Sequence, residues 1–206
     1  MSVASHPLDH MPSITPKLVD NDLYSVVRVD SDDTDGNWTD KSGGSTLYTS
    51  IDESSTDDST TYIKVTDNGS NEICIVRLSD VDTPDAGNAY LKARAKTSDN
   101  AWTGNPPQLK VELLEGSTSR VSNTFTSVST SGWGDLSHTF NGLGVSISDW
   151  SNLKLRLTMM AGDGGRLMAG DEMHVTIAYL ETQDAASASV PISAIVHNTY
   201  QQLRTP

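Results

Sequence analysis

Residues 91–96 read Leu-Lys-Ala-Arg-Ala-Lys, and residues 153–158 read Leu-Lys-Leu-Arg-Leu-Thr. In both segments apolar and polar side chains alternate from one position to the next. A period of two places one set of side chains in a core and the other set in water, as in a half-buried β-strand, whereas an amphipathic helix repeats every 3.6 residues or so. The two segments therefore predict strands that are each buried on one face.

The same alternation extends over most of the chain. It recurs clearly at residues 109–113 and 173–179, and weaker strand patterns occur at residues 23–29, 61–66, 121–128 and 136–140. In the segment 173–180 the alternation predicts that Tyr179 faces the core with Met173, and that His174 faces solvent. Residues 73–76, Ile-Cys-Ile-Val, are apolar at every position. They predict a central strand that is covered on both faces, with Cys74 buried.

Turn residues separate these segments, and no twelve-residue stretch shows a helical period. The pattern predicts an all-β fold, an antiparallel jelly-roll β-sandwich of about eight to ten strands with extended N- and C-terminal arms. We expect residues 1–20, which three prolines punctuate, to form the N-terminal arm. The sandwich is expected over residues 21–182. Residues 183–206 are expected to form a linker and a C-terminal arm, in which Ile192 and Ile195 are candidate partner contacts.

The composition excludes several classes of protein. The 206 residues include 27 Asp and Glu but 14 Lys and Arg, for a net charge of −13, which argues against a nucleic-acid partner. No apolar run approaches the roughly 20 residues of a membrane helix, so no membrane partner is expected. The first residues have neither a basic nor an apolar segment, so we expect no signal peptide. A single Cys excludes an internal disulfide.

The charge is distributed unevenly. The first sixty residues hold twelve acidic and three basic side chains. Many of the remaining bases fall in the predicted strands, where they form either one relatively basic sheet face or two mixed faces. Arg94 and Lys96 are the candidate partner contacts on such a face.

The catalytic templates that we compared with the sequence fail. No zinc-binding histidine pair, nucleophile elbow or phosphate-binding loop occurs in a suitable context. The adjacent carboxylates Asp57-Asp58 and Asp171-Glu172 give no sign of two carboxyls that face one cleft. We therefore expect no enzyme activity and no cofactor.

Calcium is the best metal candidate, through Asp30, Asp32 and Asp35. Their spacing does not match an EF-hand loop, so only a generic calcium site of a β-sandwich is left.

The tryptophans bear on sugar binding, since flat aromatic faces can stack on carbohydrate. Trp133 and Trp150 lie next to strand starts, which predicts that they pack in the sandwich. Trp102 lies in the polar segment 100–104 and is the candidate exposed residue for a glycan.

The order of strands and aromatic anchors resembles the jelly-roll virion proteins of tailed bacteriophages, which occur as head decoration proteins and in fibre or tail modules. The resemblance rests on residues 36–38, 47–48, 51–53, 57–58, 62–63, 89–96, 109–116, Trp133, Phe140, 149–153 and 173–180. It implies a structural protein, which is made in the host cytoplasm and lies in the virion, on the outer surface of the head.

Three functions stay open at this point. The first is a capsid decoration or cement protein that binds the major capsid protein, itself, or both, with a homotrimer as the oligomer that the resemblance implies. The second is a receptor- or glycan-binding module of a phage tail or fibre, with Trp102 and the acidic loops as its site. The third and least favoured is a glycan hydrolase.

Overall fold

The fold is known from a computed structural model, which describes residues 24–44, 46–53, 58, 60–67, 72–80, 87–98, 106–162, 167 and 169–183. Both predicted arms, with Ile192 and Ile195, lie outside these residues. The described residues form eleven strands in two antiparallel sheets. The strands are β1 (Tyr24–Val27), β2 (Val29–Thr34), β3 (Thr39–Asp40), β4 (Ile63–Thr66), β5 (Glu72–Leu78), β6 (Ala89–Ser98), β7 (Gln108–Glu115), β8 (Thr118–Phe125), β9 (Gly134–Phe140), β10 (Leu153–Met160) and β11 (Glu172–Gln183).

The helical content of the described residues is small. The helix α1 (Leu143–Ser146) and the 3₁₀ turns Tyr48–Ser50 and Trp150–Asn152 are each four residues long or shorter. Within the described ranges, none of these helices is long and apolar enough to cross a membrane.

The strand order confirms the predicted jelly roll. One sheet has the order β3-β4-β11-β6-β9, with β1 also paired to β11, and the other has the order β2-β5-β10-β7-β8. From β4 to β11 the chain changes sheets at every step except between β7 and β8, which is the pattern of two interlocked Greek keys. The first and last of these strands, β4 and β11, become neighbours. We call the sheet that contains them the first sheet and the other the second sheet.

The core lies between the two sheets. The alternating apolar side chains predicted from the sequence fill it, and Leu91, Leu113, Leu155 and Leu157 are fully buried. Burying a leucine side chain contributes roughly 1.5–3 kcal/mol, so these strands carry much of the stability.

A close approach of two chain segments requires glycine at position 36. Gly36 has φ +58°, and a Cβ there would lie 1.8 Å from the carbonyl oxygen of Ile73. The turn between β2 and β3 therefore passes directly over β5, which no larger residue would allow.

Two details of the predicted alternation are wrong. In β11 a register shift between Val175 and Ile177 reverses the phase, so Ala178 is buried and Tyr179 lies on the outer face instead of in the core. In β5 the apolar run is not covered on both faces, since the side chain of Ile73 is 39% exposed. Cys74 is fully buried, as predicted.

Candidate functional site

Aromatic side chains gather at one end of the outer face of the first sheet. Tyr62 directly precedes β4, His174 lies on β11, and Trp133 directly precedes β9. The ring centroids of Tyr62 and His174 are 5.0 Å apart and nearly parallel, and the centroid of Trp133 lies 5.7 Å from that of Tyr62 and 6.2 Å from that of His174. We call these three residues, together with Lys96, the aromatic cluster.

Lys96 joins the rings of the cluster. Its Nζ lies 4.8 Å from the ring centroid of Trp133 and 5.9 Å from that of Tyr62. Lys41 approaches Tyr62 at 5.9 Å. Cation–π contacts at these distances contribute about 0.5–1 kcal/mol at exposed sites. They hold the rings in place while Tyr62 and Trp133 stay half-buried and the side chain of His174 is 12% exposed.

Strand register explains why these residues meet. His174 pairs with Lys64 of β4 on one side and with Lys96 of β6 on the other. On the far side of β6, Ala95 pairs with Gly134, the residue after Trp133. Residues that are distant in sequence therefore form one row across four adjacent strands.

His174 has an unusual environment for a surface histidine. Burial, together with the nearby charges of Lys96 and Lys64, lowers its pKa below the ordinary value, although a contact with Glu172 opposes the shift. Its Nε2 lies 3.0 Å from the Glu172 carboxylate. Its Nδ1 is buried without a hydrogen-bond partner in the described structure. The sequence pattern predicted that the side chain of His174 points outward and is exposed to solvent. The structure confirms the outward direction but not the exposure.

An open cleft of about 220 Å³ borders the aromatic cluster. Lys96, His174 and Glu172 line one side, and Ser98, Thr130 and Ser131 contribute hydroxyl groups. The cleft is smaller than the roughly 300–1,000 Å³ of sites for drug-sized ligands. A site of this size suits one unit of a larger ligand that also contacts the open sheet surface.

The other half of the same face is neutralised by ion pairs. Arg94 donates to Asp58 at 2.6 Å and to Asp135 at 2.7 Å, and these carboxylates raise the pKa of its guanidinium. Lys92 lies 3.8 Å from Glu181. Of the two predicted partner contacts, the structure thus places Arg94 in a salt-bridge network and Lys96 against aromatic rings.

The outer face of the second sheet is also charged. Its bases are paired with carboxylates at 2.6–3.2 Å, as in Arg156–Glu112, Lys110–Glu112, Arg77–Asp33 and Lys154–Asp33. The strand bases are therefore spread over both sheets, the second of the two arrangements left open by the sequence.

The calcium candidates occupy β2 and the turn after it. Both oxygens of the Asp32 carboxylate accept backbone hydrogen bonds at 2.8 Å, from Leu47 and Tyr48, and Asp30 accepts a hydrogen bond from the side-chain hydroxyl of Ser31. Among the described residues, no three His, Cys, Asp or Glu side chains are grouped closely enough to hold a metal ion. Calcium binding by Asp30, Asp32 and Asp35 stays a prediction.

The remaining tryptophans differ in placement. Trp150 is buried, as predicted, and so is Trp38. Trp133 does not pack in the core, because it has the outward parity of β9. Trp102 lies outside the described residues.

The adjacent carboxylates do not form a facing pair in the described structure. Asp171 is buried, whereas Glu172 points to the outer face beside His174, and Asp58 is engaged by Arg94. Asp57 lies outside the described residues.

The aromatic cluster was not predicted from the sequence, in which its aromatic residues were considered separately. The available signal was that His174 and Lys96 both have outward parity in their strands. What it lacked is the pairing of β11 with β4 and β6, which no local pattern encodes.

Comparisons with known proteins find only distant structural similarity. No protein-family model matches the chain, and no curated protein matches it. Among solved structures, the chain is similar to the xylan-binding module CBM15, with 13% identity, a TM-score of 0.46, and coverage of 79% of this chain and 100% of the module. A CBM4 structure gives 9% identity, a TM-score of 0.42, and coverage of 71% and 95%. A Stig cyclase from Fischerella sp. TAU gives 16% identity, a TM-score of 0.37, and coverage of 83% of this chain and 93% of the cyclase.

Proposed function

We propose that this protein is a non-catalytic carbohydrate-binding module, and that its binding surface is the aromatic cluster with the adjoining cleft. The single observation that carries the proposal is the cluster itself, in which Tyr62, Trp133 and His174 meet on an open sheet face. Sugar rings present apolar C–H faces that stack on aromatic side chains. Their hydroxyl groups find partners in Glu172 and in the hydroxyls of Ser98 and Ser131 at the cleft.

The location of the cluster supports a ligand-binding role. Half-buried aromatic rings on a sheet surface leave apolar area in contact with water, which a bound sugar ring would cover. Covering about 50–80 Å² of apolar surface contributes on the order of 1–2 kcal/mol. Loss of one stacking ring should therefore weaken binding on the order of tenfold.

The experiment is titration of the full chain with a panel of soluble polysaccharides, followed by calorimetry. Trp133→Ala should weaken binding of any polysaccharide that the wild type binds on the order of tenfold, and Trp133→Phe should retain part of the affinity. Tyr179→Ala is the matched control, because Tyr179 lies on the same face next to Arg28, outside the cluster. Equal affinity of wild type and Trp133→Ala would move the site elsewhere, and a panel without any ligand would refute the function.

The virion role predicted from the sequence stays a separate prediction. Charge reversal at Lys96 tests a docking face more cleanly than reversal at Arg94, since the latter also breaks salt bridges to Asp58 and Asp135. Full occupancy of capsids by Lys96→Glu would count against a contact through this face.

A further inference from the structure

The aromatic end of the first sheet carries an excess of positive charge. Lys41 and Lys96 lie beside the rings, and Lys64 pairs with His174 on the neighbouring strand. Within the described residues, neither Lys64 nor Lys96 forms a salt bridge. The carboxylate of Glu172 lies against His174.

The same face offers an internal comparison. Lys92 and Lys96 are on one strand, four residues apart, with side chains on the same side. Lys92 faces Glu181, whereas Lys96 faces aromatic rings. Arg94, between them, is neutralised by two carboxylates. In a chain of net charge −13, Lys92 and Arg94 have acidic partners, whereas Lys64 and Lys96 have none among the described residues.

Two lysines lie on either side of His174. Lys64 and Lys96 pair with it from the two neighbouring strands, and their positive charges repel a proton on its ring. The buried acids at this end, Asp67 and Asp171, have the inward parity of their strands and do not lie in the row. An anion bound on the outer face would relieve the repulsion.

We infer that the glycan recognised by the aromatic cluster is anionic, with a carboxylate or sulfate group that binds between Lys96 and Lys64 while a sugar ring stacks on Trp133 or Tyr62. The inference rests on the proposed function and narrows it to acidic sugars. Lysine suits this role because its ammonium group is a flexible point charge that tolerates either anion.

The test compares polymers that share a related sugar ring but differ in charge. Binding of the full chain is measured to neutral galactan, to polygalacturonate, to its fully methyl-esterified form and to a sulfated galactan. We expect binding of at least one charged polymer to exceed that of its neutral counterpart on the order of tenfold at low salt, as for two surface ion pairs. Raising the salt to 1 M should remove most of the difference. The two charged polymers distinguish a carboxylate from a sulfate ester.

Lysine variants test which residues cause the preference for charged polymers. Lys96→Gln and Lys64→Gln should each reduce the charged-to-neutral ratio about threefold. Lys92→Gln, on the same strand and face, should leave the ratio unchanged. Equal binding of neutral and charged polymers would overturn the inference and leave the proposed function standing. A preference that survives the Lys64 and Lys96 variants would also overturn it, and binding to none of the polymers would count against the proposed function itself.

Discussion

Replacement of Asp32 by alanine should destabilise the protein, because it removes two hydrogen bonds between β2 and the neighbouring turn. The Asp32 carboxylate links β2 to the 3₁₀ turn at residues 48–50, because its two oxygens each accept one backbone N–H, from Leu47 and Tyr48, at 2.8 Å. Leu47 and Ile51, on either side of that turn, are fully buried. The carboxylate thus anchors two core side chains as well as two backbone donors.

The magnitude follows from those two hydrogen bonds. A backbone donor that loses its partner in a partly buried position costs about 1–2 kcal/mol, and a charged acceptor places the value toward the upper end. Asp32→Ala should therefore lower the free energy of unfolding by about 2–4 kcal/mol. Asp32→Asn keeps one carbonyl acceptor and should lose roughly half as much.

Urea denaturation followed by tryptophan fluorescence measures the change. With a slope of about 2 kcal/mol per molar urea, the midpoint of Asp32→Ala should fall by about 1–2 M. The matched control is Asp30→Ala, since the carboxylate of Asp30 accepts one exposed bond from Ser31 and its loss should cost less than about 0.5 kcal/mol. An Asp32→Ala variant as stable as this control would refute the reasoning. A loss of stability on chelation, seen in the wild type but not in Asp32→Ala, would instead assign Asp32 to a calcium site.

Three further outcomes are expected. Leu157→Ala should cost about 2–5 kcal/mol in the same denaturation assay, because the side chain is fully buried between the sheets. Glu112 accepts a hydrogen bond from Arg156 at 2.7 Å, which lowers the pKa of its carboxyl group. The contribution of this ion pair to stability is therefore fully present above the ordinary carboxyl pKa, and it is lost as the pH falls through the lowered pKa. The stability difference between wild type and Glu112→Gln should accordingly shrink in titrations below about pH 4.5. If the ligand is anionic, binding should strengthen as the pH falls through the pKa of His174, which burial lowers below its ordinary value, because protonation adds a positive charge there. His174→Gln should remove that dependence.

The fold was predictable because its signal is local. Alternation of apolar and polar residues at positions 91–96, 109–113 and 153–158 places each strand with one face inward, whatever its neighbours are. Turn residues between the segments then limit the topology to an antiparallel sandwich. The apolar run at residues 73–76 correctly predicted that Cys74 is buried, although the run is not covered on both faces.

The errors have a different origin. The phase reversal in β11 depends on contacts between strands, such as the hydrogen bond from the Thr176 hydroxyl to the carbonyl of Thr61 at 2.8 Å. A bulge adds one residue to a strand without leaving a periodic trace in the sequence. The exposure of Ile73 likewise depends on what covers the outer face of β5. The alternation of apolar and polar residues reveals neither the bulge in β11 nor the exposure of Ile73.

The candidate site shows the same limit. Tyr62, Trp133 and His174 are separated by 71 and 41 positions, and they meet because the jelly roll places β4, β11, β6 and β9 side by side. The sequence analysis searched for exposed tryptophans in loops and chose Trp102. An aromatic side chain with outward parity beside a strand is an equally good candidate, but its neighbours become known only with the strand order.

On the outer face of the first sheet, one half contains salt bridges that stabilise the fold, and the other half contains the proposed binding surface. Salt bridges of Arg94 and Lys92 satisfy their charges inside the chain, so those bases need no ligand. Within the described residues, Lys64 and Lys96 form no salt bridge, and they stand opposite His174 on the two neighbouring strands. Charges without a partner at the end of the sheet that also exposes aromatic rings are what a binding surface is expected to show, because the ligand completes its unmatched groups.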